Sequence, residues 1–243
     1  MSKRKIAVFV EGQAEYIFVR DFLMKWYEYD DSKLGVECIG LRAQKRNSLP
    51  YSIGSEESEN FYLIVNVGND NSVLSQMKKE AERLINKGYH LILGLRDLYC
   101  EQYHKLAEGR VIKPNVSEKI MNASHEVISN DENAQYLHLH FAIMEFESWL
   151  LGMDFLHKVD SCLTCDHILK ETDIDLNEDP ETIYHPTEAL KKIYKLICKD
   201  YDKHVSDIES IISHLEKAHF QELASSPKCN SFNPFFSDLV GLA

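Results

Sequence analysis

The chain has 243 residues, 44% of them hydrophobic. That is enough to bury the core of one large α/β domain, or of one domain with a helical appendage. Its 39 acidic residues outnumber 27 basic ones, for a formal net charge of −12. This argues against a protein that grips nucleic acid through a broad basic face, because phosphate neutralisation dominates such binding; it leaves open a nuclease that meets phosphate through metal ions, or a local basic patch such as Arg42, Lys45 and Arg46. The longest apolar runs, Ile6–Val10 and Leu91–Leu95, are too short to span a bilayer. The basic start Met1-Ser2-Lys3-Arg4-Lys5 lacks the pattern of a signal peptide, so a cytoplasmic location is expected.

Lys5–Val10 is an apolar, β-branched run and predicts a buried strand. Glu11-Gly12-Gln13 breaks it, and Ala14–Trp26 carries the apolar spacing of a helix packed on a sheet. Val36–Leu41 predicts a second strand, and the polar stretch from Arg42 to Asn60 a long loop. Phe61–Val67 predicts a third strand, followed by a turn at Gly68-Asn69-Asp70-Asn71. Ser72 is placed to cap a helix over Val73–Asn86 that Gly88 closes. His90–Leu95 predicts a fourth strand, ending in Arg96-Asp97. Glu118–Ile128 predicts a helix and Tyr136–Ile143 a fifth strand, which runs into Met144-Glu145-Phe146-Glu147. Beyond Gly152 only helices are expected, near Thr187–Cys198, Val205–Lys217 and Pro234–Leu242, with Asp173–Pro180 as a loop. The alternation indicates a mainly parallel sheet flanked by helices. The expected organisation is an α/β core over 1–152 and a helical accessory region over 153–243 packed on it.

In such a sheet, sites form at the carboxyl ends of strands. Three predicted strand ends carry acids: Glu11, Asp97 and the Glu145/Glu147 pair. Each alone has an ordinary reading, as a helix-opening acid, a cap, a partner of Arg96 or a solvent-facing edge residue. Carboxylates brought together repel, and a divalent ion with a taste for hard oxygen ligands, Mg²⁺ or Mn²⁺, removes that cost. Other groupings are weaker. Cys162-x-x-Cys165 with His157 and His167 lacks a second ligand pair at zinc-finger spacing. His138 and His140 alternate along a strand and share a face, read first as a polar sheet face. Gly68-Asn69-Asp70-Asn71 lacks the P-loop pattern. The six cysteines are scattered and read as reduced thiols.

The segments VFVEGQAE, LILGLRDLY, IMEFESWLL, YDKHVSD and SFNPFFSDL, which together span nearly the whole chain, resemble a family of bacterial TOPRIM-like proteins. Glu11-Gly12-Gln13-Ala14-Glu15 is similar to the E-G-x-T-E signature of topoisomerases, DnaG-type primases and overcoming-lysogenization-defect (OLD) nucleases. The resemblance implies a TOPRIM-like Rossmannoid fold and a Mg²⁺-dependent nuclease acting on DNA or RNA in phage defence, with an ABC-type ATPase as partner and self-association open. It makes Glu11 a metal ligand that acts on a metal-bound water or as a general acid/base, and makes Asp97 the first aspartate of the D-x-D motif and a metal ligand. Glu145 and Glu147 complete the acidic cluster, and Lys203 reaches a phosphate. Two positions depart from the pattern: Ala14 stands for the threonine and Tyr99 for the second aspartate. One ligand is thereby lost, which keeps in play a catalytically inactive subunit that docks on the ATPase.

Overall fold

The computed structural model describes residues 3–42, 45–49, 52–68, 72–107 and 109–241. In chain order the elements are β1 (Arg4–Val10), α1 (Gln13–Trp26), β2 (Leu34–Arg42), β3 (Lys45–Ser48), β4 (Asn60–Asn66), α2 (Val73–Asn86), β5 (Leu91–Asp97), α3 (Glu101–Leu106), α4 (Pro114–Ser129) and β6 (Leu137–Ala142). Among the described residues seven helices follow β6, with one short 3-10 turn at Ala134–Tyr136 before it and another at Pro180–Thr182. They are α5 (Glu147–Gly152), α6 (Leu156–Val159), α7 (Cys165–Thr172), α8 (Pro186–Lys195), α9 (Val205–Ser213), α10 (Lys217–Ser225) and, last, α11 (Phe232–Val240), making seven in all. No described helix is long and apolar enough to cross a membrane.

The sheet order is β3-β2-β4-β1-β5-β6. β1 pairs in parallel with β4 and β5, and β2 in parallel with β4. The protein is thus α/β with a mostly parallel sheet, as the alternation of strand and helix patterns predicts. The central strand β1 is buried from Ile6 to Val10, each fully inaccessible, which is why it reads as an unbroken apolar run. α1 is buried over nine of its residues, Glu15 and Arg20 included.

Compact packing divides the chain into two units, each drawn from more than one stretch of sequence. The first holds residues 1–96, 118–141 and 238–243, and the second 97–117 and 142–237. Residues 97–117 and 142–152, which a sequential division at 152 groups with the sheet, pack within the second unit.

Three local expectations change. The predicted loop over 42–60 contains β3, antiparallel to β2 with Leu41 opposite Arg46. Its sequence, Lys45-Arg46-Asn47-Ser48, is polar throughout, as suits an edge strand, and so carries no apolar alternation. The helix expected over Val205–Lys217 stops at Ser213; the chain breaks at His214–Glu216, and a further helix that was not expected, α10, starts at Lys217, with the Glu216 N–H donated to His219 Nδ1 at 2.8 Å. Ser72 stands at the N-cap of α2 without a side-chain capping bond. Asn69, Asp70 and Asn71 lie outside the described residues, as do the side chains of Arg42, Lys45 and Arg46. Gly88 ends α2 as expected: its φ is +83°, and Tyr89 N–H returns to the Leu84 carbonyl at 3.1 Å.

The last residues of the first unit are held by side chains of the sheet. Arg4 donates to the carbonyls of Asp238 at 2.6 Å and Leu239 at 3.1 Å, and Tyr62 hydroxyl donates to Leu239 at 2.8 Å. The Asp238 carboxylate Oδ2 accepts from His138 Nδ1 at 2.7 Å and His140 Nε2 at 2.8 Å. Burial pushes the Asp238 carboxyl up, but the two imidazole hydrogen bonds outweigh it and hold it well below the usual carboxylate range.

Two glycines separate steric need from conformational need. A Cβ on Gly35 would lie 2.1 Å from the Ser55 carbonyl oxygen, backbone that cannot swing away, whereas one on Gly88 meets nothing. Gly35→Ala should therefore cost about 1–3 kcal/mol of unfolding free energy by overpacking. Gly88→Ala should cost only the roughly 1–2 kcal/mol of a left-handed non-glycine residue. Urea melts of both variants, with the Gly35 variant the less stable, check this; the reverse order would show that β2 gives way.

Candidate functional site

Within the first unit, the β1–β4 ladder continues one step past the strand: Gly68 N–H donates to the Glu11 carbonyl at 2.9 Å. This fixes the Glu11 backbone at the end of β1. Its side chain is buried, and Oε1 meets Arg96 Nε at 3.3 Å. The Arg96 guanidinium also lies 5.6 Å from the Phe141 ring centre, so one cation answers a buried carboxylate and an aromatic face. Glu15 is buried one turn on, its carboxylate folded back beside Gly12, where a Cβ would stand 2.9 Å from Oε2.

Within the second unit, Leu98 and Tyr99 donate backbone N–H groups to the carbonyls of Ala142 at 3.0 Å and Met144 at 2.7 Å. This zips the segment after β5 to the segment after β6. Met144 takes a left-handed φ of +61°, which turns the chain sharply before Glu145-Phe146-Glu147. Asp97 Oδ1 then accepts the Phe146 N–H at 3.0 Å.

Asp97, Glu147 and Lys203 come together. Lys203 Nζ lies 3.0 Å from Glu147 Oε2 and 3.5 Å from Asp97 Oδ2, and 4.9 Å from the Phe146 ring centre. Glu147 is fully buried, Asp97 nearly so, and the Lys203 side chain is 26% exposed. The other Glu147 oxygen accepts the hydroxyl of Tyr201, itself buried, at 2.8 Å. One cation is shared by two buried carboxylates.

Glu145 does not join this cluster. Its carboxylate serves the start of α8: Oε2 accepts from Thr187 N–H at 2.9 Å and bonds His185 Nδ1 at 3.1 Å, and Oε1 accepts the Thr187 hydroxyl at 2.8 Å. An acid at a helix N-terminus satisfies open N–H groups and meets the favourable end of the dipole. Tyr99, at the second D-x-D position, bonds His185 Nε2 at 2.8 Å and packs edge-on against His104 and Tyr184. Burial, with Tyr184 and Glu145 nearby, raises its phenol above the ordinary value, so it stays neutral.

Two contributors escaped sequence reading. Tyr201 orients Glu147. Asp207 holds the backbone on both sides of Lys203: its Oδ2 accepts the N–H of Asp202 at 2.9 Å and of His204 at 3.1 Å. Lys203 itself has a left-handed φ of +61°, so Asp207 clamps a strained residue that carries the cation. The signal was present, since Asp207 stands three residues after His204, the capping-box spacing at the start of α9.

The other sequence groupings part. Cys162 is exposed, and its hydrogen bond with Asp160 raises its thiol. Among the described residues, three His, Cys, Asp or Glu ligand atoms converge in one place only, at His138, His140 and Asp238 in the first unit. A cavity of about 400 Å³ in the second unit, lined by Leu151, Met153, Leu163 and Cys165, holds none of the predicted site residues.

The chain belongs to the family described as "Domain of unknown function (DUF4276)", whose profile matches residues 10–240. No curated protein matches it. Among solved structures it is similar to one described as "the putative cell surface hydrolase from Lactobacillus plantarum WCFS1", with 9% identity and a TM-score of 0.31. That match covers 59% of this chain and 54% of the other, so the chain spans about half of that structure. At this level the likeness carries nothing about chemistry.

Removing Lys203 takes from two buried carboxylates the ammonium they share. Lys203→Met should destabilise the fold by about 1–3 kcal/mol, the penalty of deleting a charged partner of buried groups. Asp97→Asn in that background should recover part of the loss, because it removes one of the two charges. A double-mutant cycle by urea denaturation measures the coupling, and additive effects would show that Lys203 does not serve Asp97.

Proposed function

We propose that this member of the DUF4276 family is a TOPRIM-like, Mg²⁺- or Mn²⁺-dependent phosphodiesterase that cleaves DNA or RNA as a cytoplasmic effector of phage defence. The observation that carries the reading is the trio Asp97, Glu147 and Lys203: two buried carboxylates on one partly exposed lysine. The residues fit a hard divalent ion. Mg²⁺ keeps most of its waters and needs only one or two carboxylates, and Asp97 and Glu147 supply two.

Asp97 and Glu147 would hold the ion. When bound, it supplies a Lewis acid that makes water nucleophilic and offsets charge on a leaving oxygen. The chain's own part is positional. The Phe146 N–H fixes Asp97, the Tyr201 hydroxyl fixes Glu147, and Asp207 fixes the backbone from which Lys203 reaches. Lys203 meets the phosphate, its ammonium balancing the charge that builds on phosphorus oxygens. The general acid/base role of Glu11 rests on the resemblance of Glu11-Gly12-Gln13-Ala14-Glu15 to the TOPRIM signature. Glu145 has no place among the ligands in this reading, since α8 takes its carboxylate. With a net charge of −12, much of the grip on nucleic acid falls to a partner, for which an ABC-type ATPase is the proposal.

A second reading is favoured by Tyr99. The residue at the second D-x-D position is committed to His185, His104 and Tyr184, a packing role that suits a non-catalytic subunit docking on the ATPase.

Incubation with total tRNA, single-stranded DNA and duplex DNA under Mg²⁺ or Mn²⁺, with and without an ABC-type ATPase partner, separates the two. Cleavage is expected in the wild type. It should fall about 100-fold or more in Asp97→Asn and Lys203→Met, the scale of a lost catalytic group. Glu145→Gln should chiefly lower the melting temperature. Wild type that cleaves nothing in any arm but binds the ATPase supports the docking reading instead.

A further inference from the structure

We propose that His138, His140 and Asp238 form a binding site for one transition-metal ion of the zinc class, separate from the Asp97–Glu147–Lys203 trio. His138 and His140 stand two apart on β6, so both side chains leave the same face. His138 presents Nδ1 and His140 presents Nε2, and both nitrogens lie within 2.8 Å of a single oxygen, Asp238 Oδ2. All three ligand atoms fall within 4.8 Å of one another.

Two imidazoles and one carboxylate are the donor set of three-ligand zinc sites with an open fourth position, and of related iron and cobalt sites. Ligand bonds of roughly 2.0–2.2 Å place neighbouring ligand atoms on a tetrahedral ion about 3.3–3.5 Å apart. The nitrogen–oxygen separations here must widen by about half an ångström. The His138 side chain is 44% exposed, so it has room to make that adjustment and leaves a route for the ion and for a water as fourth ligand.

The carboxylate is delivered without help from the imidazoles. Arg4 grips the carbonyls of Asp238 and Leu239, and Tyr62 grips Leu239 again. The backbone under Asp238 is therefore fixed by bonds that an ion would not disturb, a form of outer-shell support. Binding would displace the ring protons that now point at Oδ2 and release them to solvent, and imidazole nitrogen would choose Zn²⁺, Co²⁺ or Ni²⁺ over Mg²⁺. The consequence is a metal-dependent tie between β6 and the C-terminal residues of the first unit.

The test uses the protein carrying Cys162→Ser, Cys165→Ser and Cys198→Ser, which removes the free thiols that are not buried. Isothermal titration with Zn²⁺, and Co²⁺ absorption as a second readout, should give one site per chain that Mg²⁺ does not compete for. His138→Gln is the informative variant, because its exposed side chain can be lost while the His140–Asp238 bond stays. It should weaken Zn²⁺ binding by more than the roughly 10–100-fold that loss of an outer-shell partner costs, with unchanged circular dichroism. Asp238→Asn should do the same, its backbone still held by Arg4 and Tyr62. Zn²⁺ that does not bind the parent protein, or binds it and His138→Gln equally, overturns the proposal.

Discussion

A carboxylate taken out of water must be given donors or a counter-charge, and much of this protein's local structure exists to do so. Each buried acid near a strand end is answered differently: Glu11 by the Arg96 guanidinium, Asp97 by a backbone N–H and part of an ammonium, Glu147 by a phenol and the rest of that ammonium. Glu145 is answered by the opening turn of α8. Because each answer comes from a different place in sequence, the acids act as fasteners between segments that are distant along the chain.

The fold was legible where burial is two-sided. β1, β4 and β5 read as strands because every residue of their middles is apolar. β3 was invisible because an edge strand of Lys45-Arg46-Asn47-Ser48 is polar throughout and has no apolar periodicity to read. The break between α9 and α10 was hidden for the opposite reason, since apolar spacing runs through it and only the backbone shows the stop.

The site was legible as a set of residue types and not as a set of directions. Sequence places Glu145 and Glu147 two apart after a strand, and nothing in it says that a left-handed Met144 and the demands of α8 turn one away from the other. Lys203 was named through a resemblance that covers its short motif; the clamp beneath it, Asp207, lay in the same motif and was legible as a capping residue. The Asp238 partner of His138 and His140 lay about a hundred positions away in sequence, a distance at which local pattern carries no information.

The left-handed backbone of Lys203 has a meaning for how such a position tolerates change. Glycine or asparagine would sit there with greater ease, yet neither carries an ammonium. The torsional preference of the chain and the electrostatic need of Asp97 and Glu147 pull toward different residues, and the lysine satisfies the second against the first. A glycine at this position would relax the loop while stripping the acids of their cation, a rare case in which easing the backbone and disabling the cluster are one and the same substitution.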